Sequence, residues 1–390
     1  MESIRIAENI VQMTQEGQLM PTCLTALTGP DGLLLVDTGQ RVGEEELRTA
    51  VENLGFEAPT FIINTHASLG NVGGNGAFGA SPTILAHRGT RELMRGDSHL
   101  LAELPSEALP DIEIDGPMTL HFNGEEIRIV PMPGSHTPTD MIVHFVDAGV
   151  ACVGDIYPGR FFPFSGLGGK AYEFPRVLRE VAELLPAGTK LLYGHQPGPG
   201  SVDDFAEIIE MAEETIPSIR AGVEAGKDRQ TLLDEGLPER WKHLDRPGAS
   251  ARGWIFYLFN DLSAPQPEQP SVLRPLYEAW KKDGTGEAIA AKFESLVAEG
   301  LDVDPAYERD LLRLGYWLLR EQASPADAVA VFTLWGERYP ESWNAFDSLA
   351  EGYVGLGEKE LAIANYRKSL ELNPDNENGK TELAKLGVTV

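Results

Sequence analysis

Short apolar runs that end abruptly in a polar residue beside glycine recur through the first two-thirds of this chain. They constrain the fold more than any other feature. Gly32–Asp37 reads GLLLVD and breaks at Asp37-Thr38-Gly39. Pro59–Thr65 (PTFIINT) runs into His66, Val150–Val153 into Gly154-Asp155, and Lys190–Tyr193 (KLLY) into Gly194-His195. Runs this short, bounded by turn residues, read as buried strands. Further strands are expected at Ile4–Met13, Thr22–Leu27, Thr83–Ala86, Glu126–Val130 and Met141–Val146. Glu44–Leu54 has helical spacing, with Leu47, Val51 and Leu54 on one face, and helices are also expected at Thr90–Met94, Pro175–Leu185 and Val202–Ala221. Strands in two series, each followed by surface helices, predict a layered α/β domain.

The strand signal stops at Leu262–Pro270 (LSAPQPEQP), where three prolines in a polar stretch read as a linker. The expected organisation is an α/β domain over 1–262, a Pro-rich linker over 263–270 and an all-α domain over 271–390. A chain of 390 residues has room for two or three domains. Within the tail, Trp343–Asn376 carries Phe346, Leu349, Ala350, Tyr353, Gly357, Ala362, Tyr366, Ser369 and Pro374. Small residues stand where two antiparallel helices must approach, large ones fill the gaps, and Gly357 and Pro374 end the helices. This resembles a tetratricopeptide repeat, with its period of about 34 residues. One period back, Leu312, Ala328, Phe332 and Pro340 match, while Gly315-Tyr316 sits one residue out of register. A worn third pair is expected in Ser271–Gly300, around Tyr277, Ala288 and Phe293. Such repeats imply a protein partner.

Charge narrows the function. Lys and Arg number 32 against 60 Asp and Glu, a net charge of −28. So acidic a surface repels phosphate backbones and anionic lipid, which argues against nucleic-acid and membrane binding. Two cysteines, Cys23 and Cys152, are too few for a disulfide framework and lie in apolar runs as packing residues. No apolar run approaches the ~18–20 residues of a membrane span. The N-terminal residues lack the basic and apolar regions of a secretion signal. The chain as it stands reads as soluble and cytoplasmic; one whose leader had been cleaved, periplasmic or secreted, would read the same.

Histidine is scarce, eight in all, and its placement is informative. His66, His195 and Asp155 stand at strand exits, and His136 follows Pro133-Gly134-Ser135. A sheet delivers such side chains to one shared edge, where α/β proteins tend to place their sites. Three imidazoles and a carboxylate suit zinc or iron. His87, His121 and His144 read as ordinary structural histidines. Gly166-Leu167-Gly168-Gly169-Lys170 lacks the spacing of a phosphate loop and reads as a flexible loop over the site. Arg160-Phe161-Phe162-Pro163-Phe164 is expected to line the same edge.

Asp37-Thr38-Gly39, the His66 segment with Gly73-Gly74-Asn75, Gly134-Ser135-His136-Thr137-Pro138, Gly154-Asp155 and Gly194-His195 occur in the order found in the metallo-β-lactamase superfamily. The resemblance covers roughly Ile4 to Leu262. It implies an αββα sandwich with a metal centre at one edge of two sheets, followed here by the tetratricopeptide-like domain. The first motif of that family is His-x-His-x-Asp-His. Here the same places read His66-Ala67-Ser68-Leu69-Gly70-Asn71. Serine and asparagine are weak ligands and glycine offers none. By the resemblance, the residue at Gly70 would hold a second metal and orient the attacking hydroxide, so that carboxylate is missing. His66, His136, Asp155 and His195 remain as metal ligands, with Asp155 and His195 carrying catalysis and Asp37 bracing the site.

Three functions fit. One is a hydrolase with a single zinc or iron ion, whose bound water attacks an ester, lactone or amide in a small-molecule substrate. Another is a mononuclear iron dioxygenase; persulfide dioxygenases of this superfamily use the places of His66, His136 and Asp155. The third needs no ion: a scaffold or sensing module whose helical repeats bind a protein.

Overall fold

The computed structural model describes residues 1–390 apart from 17–19, 97–98, 100, 102, 247–248, 264–270, 302–306, 375 and 389–390. Of the linker expected at 263–270, residues 264–270 lie outside the described ones. The chain divides into two compact units, Met1–Ala264 and Pro265–Val390. No helix among the described residues is long and apolar enough to cross a membrane.

The first unit is built on two sheets. One joins β1 (Glu2–Arg5), β2 (Ile10–Gln15), β3 (Thr22–Gly29), β4 (Gly32–Val36), β5 (Phe61–Ile63), β6 (Thr83–His87) and β7 (Ile112–Ile114) in that order. The other runs β12 (Lys190–Tyr193), β11 (Val150–Gly154), β10 (Met141–Phe145), β9 (Glu125–Pro131), β8 (Met118–Phe122). Strands β4 to β7 are parallel, as are β11 and β12.

Side chains alternate across the central strands, and both faces of these are covered. In β4, Leu34 and Val36 face the inner core, where Ile63 and Leu85 meet Ile129, Val143, Cys152 and Leu192 of the second sheet. Leu33 and Leu35 point the other way, against Leu47 and Val51 of α1 (Glu44–Asn53). In β11, Ala151 and Val153 leave the inner core for a third layer. There Val177 and Val181 of α4 (Phe174–Leu184), Ile208 and Met211 of α5 (Phe205–Glu224) and Trp254 and Leu258 of α7 (Ala251–Leu262) pack on the sheet. Two covered faces explain the nearly continuous apolar runs. The architecture is therefore the αββα sandwich expected.

Some elements differ from expectation. Ile4–Met13 is two strands, because Ile6 and Ala7 donate to the Ile10 carbonyl and turn the chain. Strand β7 was not anticipated, and β8 only as alternation around His121; β8 buries one face, and Thr119 and His121 on the other dilute its apolar signal. Short α2 (Leu69–Val72), α3 (Thr90–Arg95) and α6 (Arg229–Glu235) complete the unit's α-helices. The first and last of these, and α7, were not foreseen. Cys23 and Cys152 are both free and buried.

In the second unit α8 (Leu273–Asp283) packs on α9 (Gly286–Ala298), α10 (Tyr307–Tyr316) on α11 (Pro325–Arg338), and α12 (Trp343–Leu356) on α13 (Lys359–Leu372), with α14 (Glu377–Lys385) last. A π-helical turn, Trp317–Glu321, follows α10. Gly315 lies so close to Phe332 that a Cβ would come within 2.2 Å of the ring. In the first pair it is Gly286 and Ile289 that are fully buried, rather than Ala288. Acidic side chains tie the unit together: Asp310 accepts from the Val272 amide at 2.9 Å, Asp327 from Gly286 at 2.7 Å, and Asp347 from Asn376 at 2.6 Å.

Ala350, Ala362 and Ser369 are wholly buried. A leucine at 362 must force α12 and α13 apart, and overpacking of this kind costs ~1–3 kcal/mol. Ala362→Leu is expected to make the tail more sensitive to limited proteolysis and to leave a resistant N-terminal fragment. Parental resistance of the tail would show that Ala362 does not hold the crossing.

Candidate metal centre

Parallel strands bring their ends to one edge. Asp37 follows β4, His66 follows β5, Asp155 follows β11 and His195 follows β12. His136 hangs from the loop between β9 and β10, which reaches the same edge. All four ligand candidates from the sequence meet there. His66 Nε2 lies 3.4 Å, His136 Nε2 3.5 Å and His195 Nε2 3.1 Å from one atom, Asp155 Oδ2. His66, His136 and Asp155 each offer an atom within 4.8 Å of the other two. His195 stands outside that mutual set, joined through the carboxylate. All but His195 are almost fully buried.

Each imidazole is held by its other nitrogen. His136 Nδ1 donates to the Phe164 carbonyl at 2.7 Å and His195 Nδ1 to the Pro21 carbonyl at 2.6 Å. His66 Nδ1 is 2.9 Å from Thr65 Oγ1, whose own proton goes to Asp37 Oδ2 at 2.7 Å. The hydroxyl therefore accepts from His66. An acceptor at each Nδ1 fixes the ring with Nε2 aimed inward, the way metal-ligating histidines are oriented. Asp37 also takes the Thr65 amide at 2.8 Å and the Asn71 side chain at 2.9 Å. It braces His66 from behind, as expected.

The local electrostatics couple the buried carboxylate to the imidazoles. Burial disfavours the Asp155 carboxylate, yet His195 and His66 outweigh it and hold the group well below its ordinary range. Burial pulls His66 down, but Asp155 dominates and lifts it to about 9. His136 is lowered to about 4, by burial first and then by the charge on His66. His66 Nε2 and Asp155 Oδ1 are buried without a hydrogen-bond partner. Buried polar atoms left open like this cost free energy unless something binds them. A borderline-soft cation with nitrogen and oxygen ligands fits.

Two glycines make the approach of strand to strand feasible. Gly154 has φ +51°, and a Cβ there would come within 2.6 Å of Thr65 Oγ1. At Gly194 a Cβ would fall 1.8 Å from Asp155 Oδ1.

The segment after His66 has Ser68, Gly70 and Asn71, none of them charged. Ser68 Oγ is 3.3 Å from His136 Nε2, Asn71 is engaged with Asp37, and Gly70 leaves space: a Cβ there would meet Thr22 Oγ1 at 3.8 Å and nothing else. The Arg160–Phe164 segment divides its roles. Phe164 stacks edge-on with His136, ring centres 5.1 Å apart, and lies 5.8 Å from His195, while Phe162 is core. The 166–170 loop is tied down rather than loose: Gly166 donates to the His136 carbonyl and Lys170 to Gly134, both at 2.8 Å. His87, His121 and His144 lie outside the cluster. Thr65 and the carbonyls of Pro21 and Phe164 were not singled out by the sequence.

No family model matches the chain, and no curated protein does. Solved structures do. A metallo-beta-lactamase from Pontibacter korlensis aligns with TM-score 0.47 and 15% identity over 54% of this chain and 98% of its own. VMB-1, in a crystal structure at pH 5.5, aligns at 0.46 and 16%, over 55% and 97%. A double mutant of the sec-alkyl sulfatase PisA1 aligns at 0.56 and 15% identity, over 95% of this chain and 65% of that one. This chain thus spans just under two-thirds of the sulfatase. By fold, Met1–Ala264 is a metallo-β-lactamase-like αββα sandwich, and a helical region follows it.

Proposed function

We propose that the first unit is a hydrolase working with at most one metal ion, zinc or iron, held by His66, His136 and Asp155 with His195 beside them. It cleaves an ester, lactone or amide of a small molecule. The observation that carries this reading is the convergence of three oriented Nε2 atoms on Asp155 Oδ2. When bound, such an ion supplies Lewis acidity: it lowers the pKa of water and polarises a carbonyl oxygen. The chain supplies the rest. Asp37 and Thr65 fix the His66 ring, and the Phe164 and Pro21 carbonyls fix the other two. Asp155 supplies the negative charge of the donor set. His195 Nε2, against Asp155 and outside the mutual set, takes or returns a proton. The Phe164 ring shields His136 and His195 from water. Ser68, Gly70 and Asn71 offer no charged group, so a second ion has nothing to hold it.

A second reading has its own observation. The mutual set is two imidazoles and one carboxylate, the donor set of mononuclear iron oxygenases. Elemental analysis with activity assays separates the two. The hydrolase reading expects no more than one equivalent of metal and ester turnover lost in His136→Ala. Dioxygen uptake by an iron-loaded chain supports the second reading. Two equivalents of zinc, lost together in His66→Ala, overturn the single-ion site. Absence of turnover with zinc, iron and manganese alike removes the hydrolase and leaves a scaffold.

We infer that the helical unit is tetratricopeptide-like and binds a protein partner. The buried Ala350, Ala362 and Ser369 support that reading.

A further inference from the structure

A cavity of about 500 Å³ opens beside His195. Its walls are of two kinds. Pro21, Phe161 and Leu244 make an apolar surface, while Arg160, His243 and Arg246 bring cationic or protonatable groups to the same space. In a chain with nearly twice as many acids as bases, such a grouping runs against the general field.

The charges do not cancel. Glu207 is the carboxylate in the lining, and it is shared: Arg160 reaches one of its oxygens at 3.2 Å and His243 Nε2 lies 2.9 Å from the other. Arg246 gives one guanidinium nitrogen to the carbonyls of His243 and Asp245, at 3.0 and 2.7 Å. Among the described residues no carboxylate pairs with it. Its charge is therefore available to an oxyanion, and a guanidinium fork suits a carboxylate. His195 is the wall shared with the metal centre, its Nε2 on Asp155.

We propose that this cavity binds an organic anion: an apolar body lying on Phe161 and Leu244, ended by a carboxylate on Arg246. Resting on the hydrolase reading, this makes the substrate an ester or amide that carries a free carboxylate away from the scissile bond. The ligand class itself does not depend on turnover.

The test is calorimetric binding to the full chain after chelator treatment, so that no metal competes for the carboxylate. Hexanoate, hexanol and hexylamine share one apolar body and differ in the head. Hexanoate should bind tighter than hexanol by on the order of tenfold, the size of one charge-assisted hydrogen bond, and hexylamine should bind more weakly than either. Arg246→Ala should erase most of that preference, Arg246→Lys should keep part of it, and added salt should shrink it. Equal binding of hexanoate and hexanol overturns the proposal. So does an unchanged preference in Arg246→Ala whose melting temperature is parental. If the preference holds while no ester is turned over, the hydrolase reading falls and the ligand class stands.

Discussion

Gly194→Ala should yield a folded chain that no longer holds the metal proposed for this centre. The new Cβ would stand 1.8 Å from Asp155 Oδ1, far inside van der Waals contact, so the carboxylate must swing away. Its other oxygen is the one on which three imidazoles converge, at 3.1–3.5 Å. A shift of this kind dismantles the donor set at its centre. Removing an outer hydrogen-bond partner of a ligand already costs about 10–100-fold in metal affinity, and displacing the ligand itself costs at least that. The backbone is spared, because Gly194 does not occupy the left-handed region and its amide and carbonyl bond to Gly154 and Cys23. The expected result is unchanged circular dichroism, a stability loss of ~1–3 kcal/mol from overpacking, and metal content near zero by elemental analysis. Parental metal content would remove Asp155 from the ligand set.

That collision could not be read from the sequence, although Gly194 itself could. A glycine before a histidine at a strand exit is legible; which carboxylate it must clear is a matter of how two parallel strands sit side by side. The same division runs through the site. His66, Asp155 and His195 were legible because a short apolar run that stops at a polar residue points to a sheet edge. His136 was legible only by its glycine and proline neighbours. The oxygens that hold the imidazoles were not. Every residue has a carbonyl, so nothing in the letters marks those of Pro21 and Phe164. Of the cavity, the Arg160–Phe161 wall was legible but Arg246 was not, since the walls come from segments far apart in the chain. Among the elements, β4 and β11 were clear because both their faces are buried, whereas β8 buries one and its signal is halved.

The emptied first motif gives the remaining large effect: Gly70→Asp should raise ester turnover. A Cβ at 70 would meet Thr22 Oγ1 at 3.8 Å and no nearer atom, so the position has room for a side chain to start. Thr22 follows Pro21, whose carbonyl holds His195, and Thr22 Oγ1 is itself buried with no hydrogen-bond partner. A carboxylate at 70 can take that hydroxyl proton and stand on the His195 side of the centre. On the proposed hydrolase reading, a carboxylate here would orient the attacking water. Positioned proton transfer and water orientation contribute on the order of 10²–10⁴ in rate, which sets the expected gain in kcat on an activated ester. A second metal ion need not follow, because Ser68 and Asn71 still offer no charged ligand and Asn71 remains bonded to Asp37. Steady-state kinetics with metal analysis decide the matter. A gain in kcat at constant metal stoichiometry assigns the rate deficit to the absent carboxylate. An unchanged or lower kcat in a chain with parental metal content shows that position 70 does not limit this site.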